Sequence, residues 1–455
     1  MTECTQESFA FADHFSRRVV ARFDGEWMTS DGGALLLRRT NRKIGLLKRV
    51  ADCFTDARDP GRVEHTVPEM LGQRIYGLAL GYEDVNDHEQ LRHDPLLAVL
   101  AGKREVEEPL AGKSTLNRME LVPEGVQAAA ADRYHKITYA PEALDKLLVD
   151  MFLEAQATPP QQIVLDLDVT DTPLHGEQEA RFFHGYYRHY CYLPLYIFCG
   201  EHLLCARQRA SNQDASAGAL EEVERIVGQI RQRWPQVKIT LRADSGFCRE
   251  PLMAWCEAQE VQYVFGLARN ERLEKEIAGR LAQAESEHQQ TKQAARVFSE
   301  FLYRTRKTWS RARRVVAKAE YLDQGPNPRF VVTSLAPEVW AAQPLYEQLY
   351  CARGEMENRI KEQLSLFADR MSTETLRANQ LRLYLSSFAY VLVHALRRLG
   401  LAGTALARAQ VNTIRLRLLK IAAEVRLSAR RICLRYPRAY PWKPLFAAAW
   451  WALRC

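Results

Sequence analysis

Two mostly apolar runs end in a carboxylate, QIVLDLD at Asp168 and KITLRAD at Asp244, and this pattern constrains the fold more than any other in the chain. Short runs rich in Ile, Val and Leu read as strands of a buried sheet. An acid at the end of such a strand projects into the crevice beside the sheet, and a second acid on a neighbouring strand lies close to it. Burying two such charges without partners is costly, so their placement needs a chemical reason.

The order of elements around these runs predicts the topology. QIVLDLDVTD, YCYLPLYIFCG and HLLCARQRA read as three strands, followed by a helix in GALEEVERIVGQIRQRW, the strand VKITLRADSG, a helix near PLMAWCEAQ and the strand VQYVFGLA. Hairpin strands followed by parallel crossover units predict an α/β fold with a ribonuclease-H-like mixed sheet. After Leu267 a charged helix leads into VFSEFLYRT, RRVVAKAEY and RFVVTSL, with GPNP as a turn, which we read as an inserted β-rich subdomain that leaves the sheet. PLYEQLYCARGEMENRIKEQLSLF then has the helical period and brings the chain back to the core. The expected boundaries are a mostly helical region over 1–155, a core over 160–268 and 338–372, the insertion over 269–337, and a basic helical region over 373–455. A hairpin is expected around Asp24 and Gly25 in VVARFDGEWMTS.

Charge is unevenly distributed. The chain of 455 residues has a net charge of +7, yet Thr375 to Cys455 holds fifteen Lys or Arg against one acid, Glu424. That segment is a candidate for polyanion contact. Its arginines alternate with Leu381, Leu385, Phe388, Leu392 and Leu396 at helical spacing, so an amphipathic bundle with a solvated basic rim is the other reading. A hydrophobic content of 47% supports a large core and two to four domains. The ten cysteines show no CxxC pair, which predicts reduced thiols, a cytosolic setting and no structural zinc. The first residues, MTECTQESFAFADHF, lack the basic and apolar segments of an export signal, and the apolar stretches are too interrupted for membrane spans, so no membrane partner is expected.

A third acid stands out on the returning helix. Tyr350, Arg353 or Gly354, Glu357 and Lys361 share one face at spacings of three and four, placing an acid between two cations. This is either a surface charge ladder or a face on which Arg353 and Lys361 grip phosphates while Glu357 joins Asp168 and Asp244. Glu355 and Glu362 fall off that face and read as helix-surface residues. Three carboxylates so placed suit divalent metal for phosphodiester chemistry, in which two ions roughly 4 Å apart activate the attacking oxygen and stabilise the leaving one. Asp166 faces the same side of the strand as Asp168, so either is a possible ligand, whereas Asp171 points the opposite way if the strand continues.

The blocks LDLDVTDTPLHGEQEARFFHGYYRHYCYLPLYIFCG, LRADSGFC and YCARGEMENRIKEQ closely resemble those of bacterial insertion-sequence DDE transposases, specifically the IS-thirteen-eighty group, as do RIYGLALGYEDVNDHEQLRHDP and GKSTLNR. The resemblance runs from about Phe15 to the end. It implies a ribonuclease-H-like core with an inserted β-domain and two Mg2+ ions, for which Mn2+ can substitute. It also implies DNA cleavage at terminal inverted repeats and joining of the freed 3′-hydroxyls to target DNA by a homodimer on paired ends. A bacterial cytoplasmic protein, nucleoid-associated when bound to DNA, follows from the same likeness. Asp168 matches the first acid, in a DxT form with Thr170, Asp244 the second and Glu357 the third. Tyr350 and Arg353 match the family's helix signature, but Leu364 stands where related enzymes have lysine, and Lys361 one turn earlier is the available replacement. Two alternatives stand beside this reading: a ribonuclease-H-like nuclease without strand transfer, and an inactive transposase-derived DNA-binding protein.

Trp309, among the basic residues of RKTWSRARRVV, has two readings: a core residue of the β-rich segment, or, as the resemblance to hairpin-forming relatives implies, a ring that holds a flipped base. Strand alternation puts His189 and Cys191 on one face and His184 on the other, which argues against a metal site there, and the surrounding aromatics, Phe182 to Tyr192, are expected to pack the sheet. GKST at Gly112 lacks the glycine spacing of a P-loop, so nucleotide hydrolysis is not implied.

Overall fold

The computed structural model describes residues 8–454. The readings that fall on residues 1–7, including Cys4, and on Cys455 lie outside the described residues. The chain divides into two compact units, one of residues 52–55 and 120–391, the other of residues 1–51, 56–119 and 392–455. Among the described residues no helix is long and apolar enough to cross a membrane.

The first of these units is a mixed α/β structure built on a nine-stranded sheet. Its principal strands are β1 (Gln162–Val169), β2 (Leu195–Cys199), β3 (His202–Arg207), β4 (Lys238–Ala243), β5 (Gln262–Leu267), β6 (Ala295–Tyr303), β7 (Arg313–Leu322) and β8 (Arg329–Thr333). They lie in the order β3-β2-β1-β4-β5-β8-β7-β6, with a two-residue strand, Gly325–Pro326, against β7. β2 runs antiparallel to β1 and β3, β4 runs parallel to β1, and β5 runs parallel to β4. The expected departure from the sheet after Leu267 does not occur. β8 pairs antiparallel with β5 and β7 with β8, so the β-rich segment extends the same sheet. The reason is visible in the residues. Phe265 and Phe330, with Val315, Ala317 and Val332, carry one apolar layer across both halves, and Val264, Val316 and Val331 carry the other.

Period-two alternation along β1 separates its two faces. Ile163, Leu165 and Leu167 enter the main core with Val149 and Phe152 of helix α1 (Pro141–Ala155) and Val223, Ile226 and Ile230 of helix α2 (Ala219–Arg233). Asp166 and Asp168 therefore face the other side. α2 follows its sequence cues: Gly218 takes a left-handed conformation at its start, Glu221 and Glu222 lie in the first turn, and Arg231 and Arg233 lie in the last, each complementing the helix dipole. A buried polar network joins the layers. Arg207 pairs with Asp145 and with Glu222, the latter at 2.8 Å, and the Tyr384 hydroxyl donates to Asp145 at 2.7 Å.

The expected strand YCYLPLYIFCG is broken at Leu193 and Pro194 into two strands of different sheets. His189–Tyr192 forms a small three-stranded sheet with Thr172–Pro173 and Phe182–His184, while β2 enters the large one. His184 and His189 are direct cross-strand partners, so they share a face, contrary to simple alternation along one strand. This small sheet buries Cys191 and Tyr192 but leaves Phe182, Phe183, Tyr186 and Tyr190 exposed, so these rings do not pack a core as expected.

In the other unit, the N-terminal hairpin turns at Phe15 and Ser16 rather than at Asp24 and Gly25, pairing Ser8–His14 with Arg17–Arg22. Met28–Thr29 pairs instead with Ala423–Ser428, which makes a hairpin with Arg431–Arg435. The basic C-terminal region is thus partly β-structured rather than wholly helical. Some of its cations are internal: Arg415 is buried and donates to the carbonyls of Ala79 and Leu78, satisfying the open end of the helix Val67–Leu80. Lys420 pairs with Asp31 at 2.8 Å.

Candidate active site

The site forms where β1 and β4 end side by side and a returning helical segment crosses them. β1 and β4 are in parallel register with Leu167 beside Ala243, so Asp168 and Asp244 each follow the same level of the sheet. Asp244 starts the short turn Ser245–Phe247, and its Oδ1 accepts a hydrogen bond from the Gly246 N–H at 2.8 Å. The returning segment is not one regular helix. A π-helical turn (Leu345–Tyr350) and a 3-10 turn (Cys351–Arg353) precede helix α3 (Gly354–Leu364). Irregular turns of this kind re-aim side chains, and here they point Tyr350 and Arg353 at the strand ends.

Arg353 is the hub. Its Nη1 donates to Asp168 Oδ2 at 2.9 Å, and its Nη2 lies 3.7 Å from Glu357 Oε1. Asp168, Asp244, Glu357 and Tyr350 all act electrostatically on this guanidinium and hold its pKa above the usual value despite burial. Asp168 is only 9% exposed. Burial pushes its carboxyl up to about 6; the negative charges of Asp244 and Glu357 add to the shift and Arg353 opposes it. The Tyr350 phenol is also raised, first by burial.

Gly266 of β5 makes room for this arrangement. A methyl group there would stand 2.6 Å from the Tyr350 hydroxyl and 2.9 Å from the Ser245 nitrogen. The structure therefore brings Asp168, Asp244, Glu357, Tyr350 and Arg353 together.

Other residues singled out from the sequence lie elsewhere. Asp166 is held in a buried two-pronged pair with Arg242, at 2.5 and 2.8 Å, and Arg242 also donates to the Leu349 carbonyl at 2.6 Å. Lys361 is exposed on α3. Glu362 is not a surface residue: it is buried and pairs with Arg359 at 2.9 Å, and Arg359 also pairs with Glu201. Trp309 is 5% exposed and packs edge-on against Tyr303 with the Arg313 guanidinium over its ring, so in this fold it is a core residue and does not offer its face to a base. Asp171 leaves the strand and pairs with His189 at 2.7 Å.

Sequence reasoning missed Arg242 and Gly266. Arg242 lies two residues before Asp244 in LRAD, so strand period alone gave a signal for a cation beside the acids. Gly266 gave none, because its neighbours come from other elements.

The donor chemistry suits a hard divalent cation: buried and half-exposed carboxylates, one of them raised first by burial and then by its like-charged neighbours, are the oxygens such an ion prefers. As the side chains stand, no three acids, histidines or cysteines among the described residues are grouped to hold an ion. Arg353 instead supplies the positive charge among them.

The family model described as Transposase DDE domain group 1 matches residues 11–455. No curated protein matches. A cryo-electron-microscopy structure of a piggyBac transposase synaptic complex with hairpin DNA aligns at 11% identity and a TM-score of 0.41, covering 85% of this chain and 79% of that one.

Proposed function

Since this chain belongs to the family of group 1 transposase DDE domains, we propose that it binds the terminal inverted repeats of an insertion sequence, cuts DNA at the element ends and joins the 3′-hydroxyls to target DNA. The observation that carries this reading is the meeting of Asp168, Asp244 and Glu357, distant in the chain, around Arg353. The order β3-β2-β1-β4-β5, with β2 antiparallel and β4 and β5 parallel, supports a ribonuclease-H-like core.

In this reading Asp168 and Asp244, at adjacent strand ends, and Glu357, on the crossing helix, would hold two Mg2+ ions, for which Mn2+ would substitute. When bound, such ions lower the pKa of the attacking water and neutralise charge on the phosphoryl oxygens. The protein's own contribution is positional. Arg353 keeps the Asp168 carboxylate aimed at the strand end, and Tyr350 packs over Gly266 to fix the helix that bears Glu357. Asp166, neutralised by Arg242, serves as a strut that ties β1 to β4 and to Leu349, which favours Asp168 as the first ligand. Lys361, exposed one turn beyond Glu357, is free to meet a DNA phosphate. Water attacks the phosphodiester at the element end and displaces the 3′-oxygen, and the released 3′-hydroxyl then attacks a target phosphodiester, displacing a 3′-hydroxyl of the target strand, with no covalent protein intermediate.

Residues 1–155 are assigned to terminal-repeat recognition, 269–337 to an insertion within the core, and 373–455 to DNA or a second protomer. Two protomers hold two DNA ends in a bacterial cytoplasm, at the nucleoid when DNA is bound.

The test is a cleavage and joining assay on duplexes taken from the DNA flanking the reading frame. Asp244→Ala and Glu357→Gln should abolish both products, chelation should do the same, and added Mg2+ should restore them. Cleavage by Asp244→Ala at the wild-type rate would reject the reading. Cleavage without joined products would instead assign a nuclease.

A further inference from the structure

The small sheet that begins four residues after Asp168 has exposed rings with no partner in the core. Thr172–Pro173 pairs with Cys191 and Tyr192, which fixes the sheet to the end of β1 that bears the acid. Its other strand, Phe182–His184, reverses through Gly185–Arg188, where Arg188 takes a left-handed conformation and its N–H bonds to the His184 carbonyl at 2.8 Å. Tyr186, in this turn, is 84% exposed and Phe183 is 59% exposed. Tyr186 stands edge-on to Tyr187, with ring centres 5.1 Å apart, and Phe183 edge-on to Tyr190 at 5.7 Å. The Arg181 guanidinium lies over the Tyr190 ring at 4.6 Å. Tyr187 stacks on His189 with ring centres 6.1 Å apart, and His189 pairs with Asp171, three residues after Asp168, at 2.7 Å.

Exposing four large rings within nine residues costs free energy unless something covers them. The cover must tolerate adjacent Arg181 and Arg188 cations and reach the strand end that bears Asp168. Arg188 is exposed, and Arg181, although paired with Glu177 at 2.7 Å, keeps its guanidinium over Tyr190; a nucleic-acid strand supplies both flat faces for the rings and phosphates for the cations. We propose that the Phe182–Tyr192 sheet is a stacking platform for unpaired DNA bases next to the acidic site, with Phe183 and Tyr186 as the stacking rings and Arg181 and Arg188 beside the backbone. The assignment rests on the reading of this chain as a DNA-processing enzyme and goes beyond it by locating where unpaired nucleotides are held.

The experiment measures binding of the full-length protein to a fluorescent twenty-nucleotide oligothymidine and to a duplex of the same length. Phe183→Ala with Tyr186→Ala should weaken single-strand binding at least ten-fold, the combined effect of removing two stacked rings, and leave duplex binding within two-fold. Tyr186→Phe, which keeps the ring, should bind as the wild type does. Both side chains are exposed, so unchanged circular dichroism is expected for every variant. Equal single-strand affinity in the double alanine variant, an equal loss on duplex and single strand, or no single-strand binding by the wild type would each overturn the platform. Failure here with Asp244-dependent cleavage intact removes the platform alone; loss of that cleavage dependence removes the enzyme reading itself.

Discussion

Gly266, Tyr350 and His88 show how single positions carry consequences that composition hides. A methyl group at position 266 meets the Tyr350 hydroxyl and the Ser245 backbone, so Gly266→Ala should lower stability by about 1–3 kcal/mol in urea unfolding and reduce cleavage by displacing the returning segment that carries Arg353 and Glu357. Tyr350→Phe in that background should recover part of the stability, because the closest approach is to the hydroxyl. His88 is fully buried beside Gln73 and Arg74, and burial lowers its pKa to about 3, with the Arg74 charge acting in the same direction. The depressed value means that the unfolded chain binds the proton more readily. Stability from this residue is therefore complete above pH 6.5 and is lost as pH falls toward 3. Between pH 7 and pH 4.5 the loss should be about 2–3 kcal/mol, and His88→Gln should flatten that part of the stability-against-pH curve.

At the scale of elements, the sheet is stitched by charges as well as by apolar layers. The Asp166–Arg242 pair sits between β1 and β4, at cross-strand register, and its third bond reaches the π-helical turn at Leu349. Removing one member strands the other in a buried setting. Arg242→Met should cost about 3–5 kcal/mol, and adding Asp166→Leu should restore most of it, as read by thermal or urea unfolding. The alternation in LDLD and LRAD made the strands, their parallel pairing and the acids at their ends legible from sequence. It left Asp166 and Asp168 equivalent, because period two places both on the same face. What separates them is the partner each meets: Arg242 from the next strand for Asp166, and Arg353 from the turn that precedes α3 for Asp168. The continuation of the sheet through β6, β7 and β8 was likewise hidden, since strand-like runs announce that they pair but not with which neighbour.

For the molecule as a whole, the charge asymmetry predicts polyanion contact, and the structure narrows which cations are available. Arg415 and Arg397 are buried and engage backbone carbonyls, whereas Arg430, Arg431 and Arg438 are exposed in and after the C-terminal hairpin. Replacing these three by glutamine should reduce the slope of log affinity against log salt for duplex DNA by roughly 0.9 for each phosphate no longer engaged, with little change in thermal stability. An unchanged slope would assign DNA binding to other parts of the surface. Arg415→Ala should act in the opposite way, lowering stability and sparing the slope, because its guanidinium satisfies the carbonyl end of a helix rather than a ligand.

The linear chain determined the alternating strands, the acids that end them and the concentration of positive charge, since each depends only on neighbours within a few residues. The tertiary structure alone decided that Arg353 stands among three carboxylates, that Asp166 is neutralised, that Trp309 is enclosed and that Phe183 and Tyr186 are not. Those outcomes depend on the meeting of segments far apart in the chain, and burial and ion pairing are set by such meetings rather than by local pattern.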